Sequence, residues 1–558
     1  MAQPTPLKLA LLMALSAIIG LAQDRTGSLT GTVRDPSGAP VPDAEITVRN
    51  TETGIKRVTK SSGNGDYTVT LLDPGSYDAT IEHPGFKSLQ RTGIVLHVND
   101  SLRLDYSLAM GEVSQVVDVH EEVPLLRTND ASLGQVVDNQ KVTSLPLNGR
   151  SSFRLVELTP GYTPSPGASG QFGDIPVNTT WDSNFSINGG QGYSNEIMID
   201  GTPSTTGFFD QITTMPSVDA LEEFKVQSNA MSAEFGRTGG GVLNVTTKSG
   251  TNAFHGSLFE FLRNSVLGAN DYFNNLAGSP RVAFKMNQFG GSIGGPVIKN
   301  RTFFFFNYEG TRWRRGAVFV TTVPTAAERQ GDFSHDVTNA GQLITVYDPT
   351  STVPAAQAGQ YVRTPFPGNI IPANRINKIG ASIASYYPLP NTVGSGASGV
   401  NNYVSNAGGA VNKDQFNGRL DHQITANDKI FGRVSSDVTD LCQPNTYGNI
   451  ASPGAASVGC TTFKNRSASL EDDYTISPNI LFSIRYGFAR WYQIRAGLSY
   501  GFNQTTLGFP ASVVSEEQIP AFPTVNVSGY GALGNQGSNY LSNGNDTHSL
   551  LPSLTIVR

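Results

Sequence analysis

The chain has 558 residues, room for several domains, with a formal net charge of −6 and only 15% charged residues. Apolar content is 38%, set against 60 glycines, 29 phenylalanines and 19 tyrosines, a balance that suits short strands, polar loops and aromatic belts better than a cytosolic α/β enzyme. No basic patch marks a nucleic-acid binder; the seven histidines (83, 97, 120, 255, 335, 422 and 548) are scattered, and no GxSxG elbow or phosphate loop occurs, so no metal, cofactor or enzymatic activity is expected.

In chain order, Lys8 precedes the apolar run Leu9 to Ala22, which ends in Gly20-Leu21-Ala22-Gln23. A basic start, a short apolar core and small residues before the cut predict a signal peptide over residues 1–22. The run is too short to span a bilayer as a helix, and no later stretch approaches the ~20 apolar residues needed. An exported chain without such a helix is either soluble outside the cytoplasm or a β-barrel.

Residues 26–110 alternate with period two between turn signals. Leu29, Gly31 and Val33 precede the turn Asp35-Pro36-Ser37-Gly38; Ile46 and Val48 follow, then Tyr67, Val69 and Leu71. After Asp73-Pro74-Gly75 come Tyr77, Ala79 and Ile81, then Leu96 with Val98, and Leu104, Tyr106 and Leu108. About seven short strands predict a β-sandwich. The runs GTVRDPSGAPVPDAEITV and DYTVTLLDPGSYDATIEHPGF resemble the carboxypeptidase regulatory-like domain, whose fold is transthyretin-like. That family is an accessory module, so the resemblance implies no peptidase activity; binding of glycan or protein and a spacer role both stay open.

Residues 112–250 read as mixed α/β, with a strand from Val113 to Val119, short helices before Leu145-Pro146 and over 151–158, and strands at 195–199, 223–226 and 242–246. Three runs, LPLNGRSSFRLVELTPG (145–161), NEIMIDG (195–201) and EEFKVQSNAMSAEFGRTGGGVLNVTTKSGTNAFHGSLFEFLRN (222–264), resemble the plug and plug-to-barrel junction of TonB-dependent outer-membrane receptors, in particular the Oar-like branch that carries the same sandwich in front. The resemblance places Leu145, Pro146, Asn148, Gly149, Arg150, Asp200, Gly201, Glu234, Gly236, Arg237, Gly240, Gly241, Asn244, Lys248 and Gly250 in the plug motifs. Read for themselves, the glycines allow backbone conformations or close approaches that a side chain would block. Arg150, Glu234 and Arg237 are candidates for buried ion pairs in a polar lumen. Specifying plug packing and contacting substrate both remain open for these positions.

Beyond residue 253 the alternation returns. Ile480, Phe482, Ile484, Tyr486 and Phe488 share one face of a strand, with Ser483, Arg485, Gly487 and Ala489 on the other; Phe416, Leu420 and Ile424 oppose Asn417, Arg419, Asp421 and Gln423. Apolar outside and polar inside is the membrane-barrel pattern, although a soluble sandwich alternates too. Strands are predicted near 255–262, 284–294, 302–310, 416–424, 430–437, 467–476 and 480–491, with an eighth near 547–557. Short and long connections alternate, which predicts Thr425–Lys429 and Ser477–Asn479 on the periplasmic side and 311–415 outside, together with the loop holding Cys442 and Cys460. Those two are the only cysteines and predict a disulfide. Phe303 to Phe306, Tyr308 and Trp313 suit an interfacial girdle, with ordinary strand packing as the alternative.

The predicted fold class is therefore mostly β: a transthyretin/Ig-like sandwich (26–110), a mixed α/β plug (112–250) and part of a large antiparallel transmembrane barrel (253–558). A barrel enclosing a plug needs ~22 strands, so the chain is expected to be an N-terminal part of such a receptor, ending mid-strand at Thr555-Ile556-Val557-Arg558. The resemblance implies a location in the outer membrane, contact with its lipid, and import of an extracellular ligand, glycan or peptide among the candidates, driven by a TonB-type energy-transducing complex. Gln115, Val116, Val117, Asp118 and Val119, within 115–121, form the candidate TonB-contacting segment, the alternative being a first plug strand. The competing class is a surface adhesin or structural protein without transport. Tyr386, Tyr387, Tyr403 and Tyr447 are candidate sugar-stacking residues.

Overall fold

The computed structural model describes residues 26–112, 116–119, 133–164, 185–206, 211–229, 235, 238–276, 281–453, 459–477, 480–534 and 540–556. The predicted signal peptide, Gln115, Glu234, Gly236 and Arg237 lie outside the described residues.

The N-terminal region is a β-sandwich. Its strands are β1 (Gly27–Arg34), β2 (Glu45–Asn50), β3 (Lys56–Lys60), β4 (Asp66–Leu72), β5 (Gly75–Glu82), β6 (Ser88–Leu96), β7 (Ser101–Arg103) and β8 (Tyr106–Ser107). One sheet runs β4-β1-β7 with β8 also on β1; the other runs β3-β2-β5-β6-β9, where β9 is Val116–Val119. Inward positions of both sheets, including Leu29, Val33, Ile46, Val69, Ile81 and Leu96, form one apolar core. The alternation fails at Leu71. A bulge between Gly27 and Leu29 puts Leu72, not Leu71, into the core, and Leu71 takes a φ of 57°.

The segment read either as the TonB contact or as a first plug strand does not start the plug sheet. β9 lies parallel to β6 and pairs Val116 with Ser88 through Val119 with Arg91. It thus forms the outer edge of the sandwich.

The middle region is built on the sheet β10-β15-β16-β13-β14, from β10 (Leu133–Asp138), β13 (Glu196–Ile199), β14 (Thr202–Pro203), β15 (Leu221–Asn229) and β16 (Val242–Thr247). A second, two-stranded sheet joins β11 (Tyr162–Pro164) to β12 (Phe185–Ile187). Helix α1 (Asn139–Ser144) is capped by the Asp138 carboxylate, which accepts from Lys141 N. Residues 152–158 are 3-10 helix. Their Phe153, Leu155 and Val156 meet Phe224, Val226 and Val245 of the sheet in a compact core.

Eight long antiparallel strands follow in one sheet: β17 (His255–Asn264), β18 (Phe284–Ile298), β19 (Thr302–Thr321), β22 (Tyr403–Thr425), β23 (Asp428–Cys442), β24 (Gly459–Ser477), β25 (Ile480–Gly497) and β26 (Tyr540–Ile556). β20 (Val353–Pro354) and β21 (Tyr361–Val362) are a hairpin inside the longest connection. Strand positions follow the sequence reading, and the strands run past its bounds, as in β22. Connections 299–301 and 426–427 are tight, whereas 265–283, 322–402, 443–458 and 498–539 are long, and their described residues lie at the opposite end. Leu420, Gly432, Leu470, Tyr486 and Leu550 stand opposite one another across five strands on the outer face. Arg419, Arg433, Ser469 and Gly487 do so on the inner face.

The girdle expectation holds on one face only. Phe304, Phe306 and Tyr308 share the outer face with Leu420 and Phe416. Phe303, Phe305 and Trp313 are buried on the inner face, where Trp313 packs with Met286, Val411 and Leu441. An aromatic run fills both faces of a strand, so period two cannot assign its sides. The tyrosine expectation is corrected as well. Tyr387 and Tyr447 are buried in a core shared by three long connections, with Val323, Leu507, Phe522 and Leu533, and Tyr387 donates to Gly531 O at 2.6 Å. Cys442 and Cys460 are directly paired across β23 and β24 and joined by a disulfide at the root of one of these connections.

Candidate functional site

The middle region seats against the inner face of the long sheet through charge. Ile199 and Thr202 close a two-residue hairpin over Asp200 and Gly201. Both central residues have positive φ, 48° and 72°, as the Asp-Gly type I′ turn requires. The turn aims the wholly buried Asp200 carboxylate at the wall. Asp200 accepts from Thr247 N at 2.9 Å and Thr247 Oγ1 at 2.8 Å. Arg419 Nη1 lies 3.3 Å and Arg433 Nε 2.9 Å from its two oxygens. Arg419 also grips Asp421 with two N–H groups, both at 2.9 Å, and its guanidinium stacks over Phe431 at 4.7 Å. Beside them Arg485 pairs with Glu471 and donates to Gly201 O at 3.0 Å. A Cβ on residue 201 would sit 2.2 Å from Arg485 Nη1, so a side chain there would displace that guanidinium as well as having to adopt a left-handed φ. Buried charges of this kind are tolerated only when each is paired and hydrogen-bonded.

A second contact uses the turn Asn148-Gly149-Arg150. Arg150 pairs with Asp219 and, at 3.4 Å, with Glu309 of β19. Its guanidinium lies over Phe259 at 4.2 Å and Phe261 at 5.0 Å. Gln288 of β18 donates to Gly149 O at 3.0 Å. Arg150, read from the sequence as a candidate for a buried ion pair, forms two. Its partners among the described residues are one carboxylate from its own region and one from the wall.

The other motif residues shape the sheet. Leu145 caps α1 with Pro146 behind it, and Asn244 Nδ2 donates to Gln227 Oε1 at 3.2 Å. A Cβ on Gly240 would lie 2.5 Å from Asn195 Oδ1, and on Gly250 2.4 Å from Phe304 O. Lys248 N donates to Ala220 O at 2.9 Å, and Gly241 N to Asn195 Oδ1 at 2.9 Å.

The sandwich closes the tight-turn end. Lys225 of β15 reaches Asn99 O at 3.1 Å and Asp100 at 3.4 Å, and Glu223 holds His97 at 2.6 Å and accepts from Val98 N. Lys429 pairs with Asp73, Arg57 donates to Ala426 O at 3.2 Å, and Asn252 Nδ2 donates to Thr53 O at 2.7 Å. These contacts border an open cavity of about 480 Å³ at the three-way junction. Glu222 borders it, and burial pushes its carboxyl up to about 7; Glu223 and Glu52 add to the effect, while Lys248 and Arg419 pull against it.

Sequence reasoning placed Arg419, Asp421 and Arg485 on inner faces but did not pair them, and it missed Asp219, Glu309, Arg433, Glu471, Glu223 and Lys225. The available signal was charge at an inward position of a strand. Among the described residues no group of three His, Cys, Asp or Glu is arranged to hold a metal ion, and no helix is long and apolar enough to cross a membrane.

Residues 246–558 match the family described as outer membrane beta barrel domain, and residues 28–109 match the carboxypeptidase regulatory-like domain. The TonB-dependent transporter Oar of Myxococcus xanthus is 24% identical over 298 residues, 51% of this chain and 26% of that protein. Among solved structures, the outer membrane transporter YddB of Escherichia coli is 12% identical with a TM-score of 0.41, over 75% of this chain and 45% of that one. The siderophore receptor PirA of Acinetobacter baumannii is 16% identical with a TM-score of 0.36, over 65% and 40%. The chain thus spans about a quarter of the curated relative and less than half of each of these two structures.

Proposed function

The chain belongs to the outer membrane beta barrel domain family, and from that premise we propose that it serves a TonB-dependent receptor that binds an extracellular ligand and admits it past a displaceable plug. The observation that carries this reading is the chemistry of the plug–wall contact. Asp200 with Arg419 and Arg433, and Arg150 with Glu309, join two surfaces by ion pairs rather than by an apolar core. Such a contact separates into water far more readily than a greasy one, because each charge regains hydration. A plug built to move needs that property.

The sandwich sits at the end with the tight turns, against Lys429 and Ala426. In outer-membrane barrels that end faces the periplasm. A periplasmic sandwich favours the receptor over a surface adhesin that would display this module. Among the described residues β9 is an edge strand with no partner on its second side, the arrangement that accepts an added strand from a partner, and we assign the TonB contact to 115–121 on that basis. Ligand, glycan or peptide, would enter from the end with the long connections.

Cysteine at position 117 in cells tests the assignment. Oxidative capture of a TonB-type protein bearing a cysteine in its own terminal strand is expected, while cysteine at the buried sandwich position Ile81 gives none. Equal capture at both positions, or none at 117 with normal outer-membrane levels, sinks the TonB contact.

A further inference from the structure

At the long-connection end of β17, β18 and β19 a cleft of about 770 Å³ opens beside the Asn148 turn. Three guanidiniums line it, those of Arg263, Arg281 and Arg315, against the single carboxylate of Asp271. One oxygen of Asp271 is already taken by Phe273 N at 2.9 Å. Where arginines hold this molecule together they carry carboxylate partners, as Arg150, Arg419, Arg433 and Arg485 do. Arg263, Arg281 and Arg315 form no ion pair with any described residue. Their positions are nevertheless set. Arg263 lies over the Phe284 ring at 4.9 Å and donates to Asn148 Oδ1 at 3.4 Å. Arg281 donates to Gly268 O at 2.6 Å. Arg315 is the direct cross-strand partner of Phe284 and so shares its inner face. A guanidinium has five N–H donors, and each of these keeps most of them available.

We propose that this cleft is a docking site for an anionic ligand, one that presents carboxylate or phosphate oxygens to Arg263, Arg281 and Arg315 together. The planar forks favour bidentate oxygen pairs. Asn148 of the plug lines the cleft, and Arg263 and Arg315 lie on the inner face with the buried Met286 and Trp313, which favours a soluble anion over the phosphates of surrounding lipid. The site also touches the plug motif. An anion that draws Arg263 away from Asn148 loosens the turn whose next two residues carry the Gln288 and Glu309 contacts. The direction of traffic rests on the receptor reading; the binding itself does not.

The test uses the full chain in detergent micelles free of lipopolysaccharide, titrated with citrate, with maltose as the uncharged control. Trp313 packs edge-on to Phe284 at 6.1 Å, so binding is expected to change tryptophan fluorescence saturably with citrate, not with maltose, and less at high salt. The double variant Arg263→Ala/Arg315→Ala should bind citrate at least about tenfold more weakly, and Arg263→Lys/Arg315→Lys should recover only part of the loss, because it keeps charge without the fork. Calorimetry on the same samples, with unchanged heat-modifiable migration, separates lost binding from lost folding. Absence of saturable citrate binding, or an affinity unmoved in the double variant, overturns the proposal. A response to phosphorylated lipopolysaccharide alone overturns it in favour of lipid. Citrate binding that persists in a chain with no uptake would sink the import reading and leave this site standing.

Discussion

The sandwich and the long sheet use the same period and opposite chemistry. In the sandwich the buried side of each strand is apolar, from Leu29 and Val33 to Ile81 and Leu96, and the exposed side carries Thr, Lys and Glu. In the long sheet Asn417, Arg419, Asp421, Arg433, Glu471 and Arg485 are buried, while Leu420, Val434, Leu470, Tyr486 and Leu550 are exposed. Alternation therefore reports a strand, and only the polarity of the hidden face reports which solvent the other face meets. A sheet that hides ions and shows leucine is built for lipid outside and a charged plug inside.

The sharpest way to break this contrast is to empty the charged interior. Asp200→Ala leaves Arg419 and Arg433 buried against the plug with their shared anion gone, a change worth about 3–5 kcal/mol. The expected result is a plug that limited proteolysis cuts in the 196–247 region, with the sandwich intact. A plug as resistant as in the unmodified chain would mean that the ion cluster does not hold it.

A second experiment asks the same question of the outer faces. Leu420 is 50% exposed and Val58 on the sandwich 57% exposed, nearly equal by area. Leu420→Arg is expected to destabilise the sheet in bilayers by about 2–4 kcal/mol near the membrane midplane, seen as a lower temperature of heat-modified migration. Val58→Arg should stay within about 0.5 kcal/mol. Equal effects would put both faces in water. Next in size comes the cross-link. Cys442→Ser/Cys460→Ser removes the closure of a short loop, worth at most about 3 kcal/mol in the chain-entropy view. It should lower the same transition modestly while leaving β23 and β24 paired, since Leu441 and Thr461 already stand in register. A loss of strand signal on reduction would show that the bond, not the ladder, sets the register.

How far the sequence was legible follows the same division. Strands with one chemistry per face, such as 480–491, could be placed to within a few residues. The first part of β22, Tyr403 to Gly409, mixes Asn, Ser, Ala and Gly and carries no period, so the strand seemed to begin at 416 although it begins at Tyr403. Phe303 and Trp313 were misassigned because aromatics occupy both faces of β19. The partner of β9 could not be read, since alternation fixes a strand's faces and not its neighbour; the choice of β6 is tertiary. Of the site, the Asp200-Gly201 turn and the Asn148-Gly149-Arg150 turn were legible as motifs. Their partners Arg433, Glu309 and Asp219 were not, because an ion pair between residues far apart in sequence leaves no local pattern.

The smallest expected effect lies where the two regions meet. Glu222 borders the junction cavity, and burial there holds its carboxyl near 7, against an ordinary value of 4.5. Facing it are Glu223 on its own strand, Glu52 from the sandwich, Lys248 from the plug and Arg419 from the wall, with His97 close by on Glu223. If the sandwich lifts away, Glu222 meets water and its pKa falls toward the ordinary value. The docked form therefore holds the proton more tightly. Docking is firmest below about 4.5, weakens as pH rises toward about 7, and is flat above that. Hydrogen exchange at the 97–100 turn of the full chain should quicken over that window. In Glu222→Gln the His97–Glu223 pair remains, so the part of the slope that disappears belongs to Glu222. An unchanged slope would assign the pH response elsewhere and leave the junction held by Lys225, Lys429 and their carboxylates alone.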